Sequence, residues 1–298
     1  MPPNLSRKIM NKRHIKRIQF YFRPDMGKAV IWEKKLKNAI KILFSNVSIL
    51  NANIIPKKSR APQLLIALGG DGTILEATQK FQHLNPLILG LNLGRVGFLA
   101  SVRSPKYFSS ALSKVLRGNF HTISRMLIRA SIIRYNKTIF SGYALNEITI
   151  QNLLGMVDLR VEVENHPVQY IHGNGVLIAT ATGSTAYNLS AHGPIVMPDI
   201  KCFIITELLD HNLPTPSLII KRNRTISIVV ENFRKSNRFI IKKTGEEADV
   251  ILATDSERII ALKKGDRIII KKSERLIRFV ELNKNYFFKS LQEKFEFK

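Results

Sequence analysis

The chain has 298 residues, of which 45% are hydrophobic and 23% charged, and its formal net charge at pH 7 is +25. These proportions are typical of a soluble globular protein with one large domain or two smaller ones. They exclude a membrane-spanning chain, since no run of about 18 apolar residues with few charges occurs, and the single cysteine, Cys202, excludes an internal disulfide. Residues 1–16 are basic, but no apolar signal-peptide core follows them. We therefore expect a cytoplasmic protein that does not bind membranes.

The excess of lysine and arginine raises the question of nucleic-acid binding, because these side chains neutralise phosphates. The basic residues are spread along the chain, as in RKIMNKRHIKR near the start, KKLKNAIK, and several pairs between residues 221 and 278. No single basic block is interleaved with aromatic residues. This distribution favours solvated surface cations over a nucleic-acid site. A positive field would also attract small anionic substrates.

In the first part of the chain, apolar strands alternate with amphipathic helices. Strands are predicted at residues 18–22, 47–50, 64–68 and 86–91, and helices at residues 28–43, after the GGDG run, and at residues 106–116. The run LLIAL at 64–68 is continuously apolar, as expected for a parallel strand that is covered on both faces. Strands that alternate with helices predict a parallel sheet.

Beyond about residue 122 the pattern changes to that of a β-rich region. Leu159, Val161 and Val163 alternate with charged residues, which predicts a half-buried strand. The sequence Asn165-His166-Pro167 is a turn signal and predicts a hairpin whose second strand covers residues 168–171.

Residues 225–282 consist almost entirely of segments that predict short strands, namely ISIVV, RFIIKK, ADVILA, RIIAL, RIIIKK and LIRFVEL. Turns are predicted at Gly265-Asp266 and Ser273-Glu274, one helix at residues 186–191, and a further helix from Tyr286 onward. We predict an α/β domain with a parallel sheet at residues 1–122, on which the tail at 283–298 packs back, and a β-rich domain at residues 123–282.

The run ALGGDGTILEA at residues 67–77 directly follows the apolar strand at 64–68. Glycines allow a sharp turn from strand to helix and the close approach of a phosphate, whose charge the start of the helix favours. Asp71 could serve only as a turn residue or helix cap. At the sheet edge where α/β proteins bind ligands, its carboxylate could also take a proton from a substrate hydroxyl or help to hold a metal.

A second candidate site is the run GNGVLIATATGSTAYNLSAHGPI at residues 173–195. Its hydroxyl-rich turn at residues 182–185 lies between an apolar strand and a short helix, and hydroxyls with backbone N–H groups suit phosphate or ribose oxygens. Capping the helix would need only one of these hydroxyls, so the run favours a ligand site. A third candidate, Asn146-Glu147, is a weak signal taken alone, since a polar pair at the start of a strand is usually solvated.

Taken in order, these residues resemble the NAD kinase family. The family's GGDGT corresponds to residues 69–73, its N-x-G-x-x-G-F-L to NLGRVGFL at 92–99, its NE pair to Asn146-Glu147, and its TGSTAY-x-LSAxGPI segment lies within 174–195. ATDSERI at 253–259 is similar to the family's D-[GS]-Q segment. The resemblance covers residues 62–266. GGDGT alone is shared with diacylglycerol and sphingosine kinase-like enzymes, whereas TGSTAY with LSAxGPI is far more specific.

The resemblance implies transfer of the γ-phosphate of ATP to the 2′-hydroxyl of the adenosine ribose of NAD, which gives NADP. It implies a divalent metal, Mg²⁺, whose ligands it leaves unassigned, an α/β domain with a β-sandwich-like domain, and a homodimer or homotetramer. It implies Asp71 as the base. The implied nucleotide-binding residues are Gly70, Gly72, Thr73, Phe98, Asn146, Glu147, His172, Asn174, Thr182, Ser184, Thr185, Ala186, Tyr187, Ser190 and Asp255, the last often supplied in the family by a neighbouring subunit.

Several positions depart from the family pattern. Asn174 replaces the usual aspartate, His172 replaces a cationic residue of many members, and Glu257 replaces a glutamine. The segment at 210–217 keeps the family's histidine but loses its arginine. We expect these changes to affect substrate preference and subunit contacts more than the reaction.

Two other functions stay open at this point. A lipid kinase of the diacylglycerol type would share GGDGT, and a dinucleotide-binding protein without turnover would share the binding motifs. The sequence also leaves open whether the donor is ATP, another triphosphate or polyphosphate, and whether NADH is accepted.

Overall fold

A computed structural model describes residues 15–95, 97–210, 215–236, 239–242, 244–255, 258–283 and 285–295. Glu257 and residues 211–214 of the segment at 210–217 lie outside the described residues. In the described part of the chain the helices are α1 (Gly27–Leu43), α2 (Asp71–Phe81), α3 (Phe108–Leu116), α4 (Tyr187–Ser190) and α5 (Tyr286–Phe295). None of them combines the length and the apolar content needed to cross a membrane.

The strands of the described residues, in chain order, are β1 (Arg17–Phe22), β2 (Ser48–Leu50), β3 (Leu64–Leu68), β4 (Leu87–Leu91), β5 (His121–Arg134), β6 (Lys137–Ala144), β7 (Glu147–Asn152), β8 (Val157–Val163), β9 (His166–Thr180), β10 (Cys202–Asp210), β11 (Leu218–Lys221), β12 (Ile226–Phe233), β13 (Phe239–Ile241), β14 (Glu246–Ala248), β15 (Val250–Thr254), β16 (Arg258–Leu262) and β17 (Arg267–Glu281). They belong to two compact units. The first takes in the described residues up to Ala77, His83–Ile123 and those from Arg278 onward, and the second takes in Thr78–Gln82 and Ser124–Ile277.

The first unit is built on a parallel sheet. Its strands lie in the order β2, β1, β3, β4, and residues 278–279 of β17 pair with β4 in the same direction. Every residue of β3 and β4 is buried, as the continuous apolar runs predict for strands covered on both faces. The helix α1 buries Ala29, Leu36 and Ile40, which recur on one stripe of the helix and face the core.

The register of this sheet brings two sequence motifs to one edge. Leu68 at the end of β3 pairs with Leu91 at the end of β4. The GGDGT turn and the NLGRVGFL segment therefore begin side by side at the carboxyl ends of neighbouring parallel strands. This is the edge at which α/β sheets bind ligands.

The second unit is antiparallel and β-rich. Its strands follow the order β16, β15, β7, β9, β8, β12, β17, with β10 beside β9, β11 beside β10, and β5 beside β6 and β17. A core of buried branched side chains from most of these strands holds the unit together. The predicted fold class, an α/β region with a parallel sheet followed by a β-rich region, is confirmed.

The register of the second unit also gathers motifs that are far apart in sequence. Glu147 at the start of β7 pairs with Ala179 near the end of β9. Ile148 pairs with Thr254 at the end of β15. The Asn146-Glu147 pair, the hydroxyl-rich turn after β9 and Asp255 are therefore neighbours.

One predicted turn lies at a slightly different position, and a second predicted turn is absent. The β8–β9 hairpin turns at Glu164 and Asn165, with Val163 paired to His166. Both turn residues have positive φ, 53° and 68°, as a two-residue turn that matches the strand twist requires. Ser273-Glu274 does not interrupt β17, which runs continuously from Arg267 to Glu281. The Ser273 hydroxyl accepts the Arg275 N–H at 3.0 Å within this strand.

Candidate active site

The strand-to-helix turn after β3 combines one packed glycine with two open ones. A Cβ at Gly69 would lie 2.5 Å from Oγ1 of Thr73, so only glycine fits there. At Gly70 and Gly72 a Cβ would meet no atom within 4 Å. Packing alone therefore does not require glycine at these two positions, whereas the close approach of a ligand to the backbone would use the open space.

Asp71 is the first residue of α2, and its carboxylate is partly exposed. Oδ2 accepts the N–H of Phe98 at 2.7 Å, and Oδ1 accepts the N–H of Leu99 at 3.2 Å. A Cβ at Gly97 would lie 2.2 Å from Oδ1, so the loop lies directly against the carboxylate. Asp71 thus anchors residues 97–99 through both of its carboxylate oxygens.

The ring of Phe98 packs against the protein itself. It is 6% exposed, its centroid lies 5.9 Å from that of Phe287, and the Lys294 ammonium lies 5.1 Å from it. These contacts give no support to the prediction that Phe98 binds the nucleotide.

In the second unit the carboxylate of Asp255 organises the turn that carries the Asn146-Glu147 pair. It accepts the backbone N–H groups of Leu145 at 2.7 Å, Asn146 at 2.9 Å and Glu147 at 3.1 Å. It also accepts the side-chain amide of Gln79. Asp255 is 5% exposed. Its geometry is that of a group that supports the turn from within, and the prediction that it contacts the nucleotide gains no support from it.

The hydroxyl-rich turn packs against the same segment. The Thr180 hydroxyl donates to the Leu145 carbonyl at 2.6 Å and accepts the Gly183 N–H at 3.1 Å. A Cβ at Gly183 would lie 2.2 Å from the Asn146 carbonyl oxygen. The two turns are therefore held back to back, and their separation depends on a glycine at position 183.

The predicted ligand residues of this turn differ in burial and in whether their side chains already form hydrogen bonds within the protein. Ser184 is fully buried, and its hydroxyl lies 2.7 Å from the Ala181 carbonyl and accepts the Val196 N–H at 3.0 Å. The Thr185 hydroxyl lies 3.4 Å from the Thr182 carbonyl. Tyr187, by contrast, is 41% exposed, and Ser190 is also exposed.

Asn146 and Glu147 present buried polar atoms that lack a hydrogen-bond partner in the described structure. These atoms are Oδ1 of Asn146 and Oε2 of Glu147. A buried polar atom without a partner costs about 1–3 kcal/mol. Burial, with a contribution from the charge of Asp255, raises the pKa of Glu147 to about 8, although the Tyr187 backbone N–H favours the ionised form. The turn therefore offers two buried oxygens that could accept hydrogen bonds from a bound group.

His172 and Asn174 lie on β9. His172 lines a different cavity of about 410 Å³, together with Asp158 and Gly155. Nδ1 of His172 lies 2.5 Å from Oδ1 of Asp158. The Asn174 amide donates to the Gly155 carbonyl at 3.0 Å. The Asn146-Glu147 pair and the hydroxyl-rich turn do not line this cavity in the described part of the chain.

Sequence reasoning missed several residues that shape these turns. Thr180 lies inside the hydroxyl-rich run and could have been found there, and Gly97 lies inside the NLGRVGFL segment. Gln79 has no local signal, because its role comes from a contact with Asp255, which is distant in sequence.

Comparison with known proteins decides the family. The family model for the ATP-NAD kinase N-terminal domain matches residues 2–120, and the model for the ATP-NAD kinase C-terminal domain matches residues 145–282. An NAD kinase of Carboxydothermus hydrogenoformans is 33% identical over 271 residues, which cover 90% of this chain and 91% of that protein. The chain belongs to the NAD kinase family. An NAD kinase of Lachnoclostridium phytofermentans is 34% identical over 77% of this chain and 79% of its own length.

Solved structures of the NAD kinase family share the fold. An NAD kinase from Archaeoglobus fulgidus in complex with ATP has a TM-score of 0.73 and 26% identity, covering 93% of this chain and 98% of that one. Yeast NADH kinase complexed with NADH has a TM-score of 0.84 at 20% identity, covering 96% of this chain and 89% of that one. The predicted resemblance is confirmed, and the match favours an NAD kinase over a lipid kinase.

The contact between Gly183 and Asn146 gives a first prediction. A Gly183→Ala substitution should force the two turns apart, lower the free energy of unfolding by about 1–3 kcal/mol through overpacking, and weaken NAD binding. Thermal unfolding and titration with NAD measure both effects. Gly27→Ala is the matched control, since a Cβ there meets nothing within 4 Å. Parent-like unfolding and NAD affinity in Gly183→Ala would contradict the assignment.

The buried carboxyl of Glu147 gives a pH-dependent prediction. Because its pKa in the folded chain, about 8, lies above the ordinary 4.5, the folded state binds the proton more tightly. Stability from this group is therefore present at low pH and lost as pH rises from about 4.5 through 8. Glu147→Gln, which cannot ionise, should gain about 1–3 kcal/mol relative to the parent between pH 5 and pH 8.5.

Chemical denaturation at several pH values checks this gain. The exposed Glu274 supplies the control, and Glu274→Gln should track the parent across the range. A constant difference between parent and Glu147→Gln at every pH would show that burial does not shift this carboxyl.

Proposed function

We propose that this member of the NAD kinase family transfers the γ-phosphate of ATP to the 2′-hydroxyl of the adenosine ribose of NAD, which gives NADP. The observation that carries this proposal is the Asp71 turn. A partly exposed carboxylate lies beside two open glycines at the start of an eleven-residue helix, at the ligand-binding edge of a parallel sheet. A proton acceptor and a phosphate-binding turn at one place are what phosphoryl transfer to a hydroxyl needs.

In this mechanism Asp71 accepts the proton of the 2′-hydroxyl as that oxygen attacks the γ-phosphorus of ATP, and ADP leaves. The N–H groups of Phe98 and Leu99 hold the carboxylate in one orientation. Gly70, Gly72 and Thr73 bring the start of α2 to the phosphates, whose negative charge the helix N-terminus favours.

The dinucleotide contacts the turn that carries Asn146 and Glu147. Its hydroxyl or amide groups supply the hydrogen bonds that Oδ1 of Asn146 and Oε2 of Glu147 lack. The other proposed contacts are Thr182, Thr185, Ala186, Tyr187 and Ser190. Ser184 and Asp255 were predicted to contact the nucleotide, and we now propose that they support these turns from inside the protein.

Magnesium fits the site only as a metal bound mainly by phosphates. Among the described residues, no group of three or more His, Cys, Asp or Glu side chains could hold a metal ion. Mg²⁺ in phosphoryl-transfer sites is often held by one or two carboxylates and the substrate phosphates. Because Asp71 is proposed as the base, the substrate phosphates would supply most of the ligands of this metal, and the bound metal would neutralise charge on them.

Three further parts of the proposal concern the whole protein. It acts in the cytoplasm, as a homodimer or homotetramer, with residues 1–122 and 283–298 in one domain and residues 123–282 in the other. The boundaries of the two compact units support this division.

Asp71→Asn tests the proposed base. Loss of a general base should lower kcat for NADP formation by about 10²- to 10⁴-fold, measured with NAD, ATP and Mg²⁺. Because the carboxylate also anchors residues 97–99, unfolding temperature and NAD affinity are measured in parallel. We expect both to change little compared with kcat.

Two results would overturn parts of the proposal. Equal turnover by parent and variant would leave Asp71 only as an anchor of its loop. NAD binding by the parent with no NADP formed from ATP would favour a dinucleotide-binding protein without turnover.

A further inference from the structure

The C-terminal helix α5 contacts the loop that surrounds the Asp71 carboxylate. Tyr286 and Ser290 are one turn apart and lie on the same face of the helix. The Tyr286 hydroxyl donates to the Gly97 carbonyl at 3.3 Å, and the Ser290 hydroxyl lies 3.2 Å from the same oxygen. The Gly97 carbonyl therefore lies within hydrogen-bond distance of two hydroxyls of α5, and Ser290 shares its single proton between this oxygen and the Tyr286 carbonyl at 3.0 Å.

Gly97 connects these hydroxyls to the carboxylate. Its Cα lies so close to Asp71 that a Cβ would be 2.2 Å from Oδ1. The next two residues, Phe98 and Leu99, donate their N–H groups to the two carboxylate oxygens. A shift of Gly97 toward or away from α5 would therefore change the position of the carboxylate.

The helix α5 is itself fixed on the first unit. Nη2 of Arg103 donates to the Tyr286 carbonyl at 2.8 Å and to the Ser290 hydroxyl at 2.7 Å, and Nη1 pairs with Glu293. Ser290 is fully buried. The arginine thus connects three positions on α5 to the segment that follows β4.

The negative charge of the Asp71 carboxylate also affects the Tyr286 hydroxyl on α5. Burial, followed by the negative charge of Asp71, raises the pKa of Tyr286 to about 12. The Tyr286 hydroxyl therefore stays protonated at neutral pH and remains a hydrogen-bond donor to Gly97.

We propose that α5 is a positioning element for the reaction. Tyr286 and Ser290 hold the Gly97 carbonyl, and through Phe98 and Leu99 they fix the orientation in which Asp71 accepts the proton. Both are positioning residues, since neither is placed in contact with the reacting atoms. The proposal rests on the proposed function for the role of Asp71, but the link between α5 and the loop stands on its own contacts.

The test uses Tyr286→Phe, Ser290→Ala and the double variant in the full chain. Misplacing a reacting group by about 1 Å can cost about 10²-fold. We expect kcat for NADP formation to fall about 10-fold in each single variant and about 100-fold in the double variant, with the KM for NAD and for ATP changed less than about 3-fold. Gln292→Ala is the control, because Gln292 is exposed on α5 and should leave kcat unchanged.

Hydrogen exchange of the Phe98 and Leu99 amides supplies a readout that does not need activity. These amides should exchange at least about 10-fold faster in the double variant, since a factor of 10 corresponds to about 1.4 kcal/mol of opening free energy. Unchanged exchange together with unchanged kcat per folded molecule would overturn the proposal and leave α5 a purely structural element. Faster exchange in the double variant, combined with a parent that makes no NADP, would support the link between α5 and the loop while the proposed function fails.

Discussion

A buried carboxylate that collects successive backbone N–H groups is the interaction on which the rest of the candidate site depends. Asp255 accepts the N–H groups of three consecutive residues, 145–147. Hydrogen bonds to charged groups are worth about 1.5–3 kcal/mol each, but burial outweighs them here and raises the pKa of Asp255 to about 6. Asp255 itself has φ 49°, a left-handed conformation that costs a non-glycine residue about 1–2 kcal/mol. The turn before β7 is therefore stabilised by the Asp255 side chain, and its own residues stay available for a ligand.

Asp71 repeats this arrangement in the first unit with a different outcome. It holds two successive N–H groups, those of Phe98 and Leu99, but it is less buried than Asp255. Asp255 uses its acceptor capacity on four protein donors, whereas Asp71 is bound by its loop and still reaches solvent. The same chemistry thus produces a purely supporting carboxylate in one unit and a carboxylate that can meet a substrate in the other. The difference lies in exposure, not in residue type.

Much of the fold and part of the candidate site could be predicted from the sequence, because the signals for these elements are local. The apolar runs at 64–68 and 86–91, the helix at 28–43 and the glycine turn at 69–72 all appear where periodicity and glycine placement predict them. The hydrogen-bonding roles of Ser184 and Asp255 could not be predicted. The Ser184 hydroxyl bonds within its own turn and the Asp255 carboxylate faces inward because of which strands pair. No local sequence pattern encodes the β7–β15 register. The turn signal at Ser273-Glu274 failed because β17 continues through both residues as an extended strand, which overrides a weak local preference.

Two departures from the family pattern, Asn174 and His172, each have a hydrogen-bond partner close by in the structure. At position 174 an aspartate would place a carboxylate next to the Gly155 carbonyl, and two acceptors cannot form a hydrogen bond with each other. The Asn174 amide is a donor, and it meets that carbonyl at 3.0 Å. On the same strand, His172 pairs with Asp158 at 2.5 Å, which gives the imidazole a fixed partner. Asn174 therefore bonds to the loop between β7 and β8, and His172 pairs with β8 itself. An aspartate at position 174 would therefore lose the hydrogen bond to the Gly155 carbonyl, because its ionised carboxylate has no proton to donate.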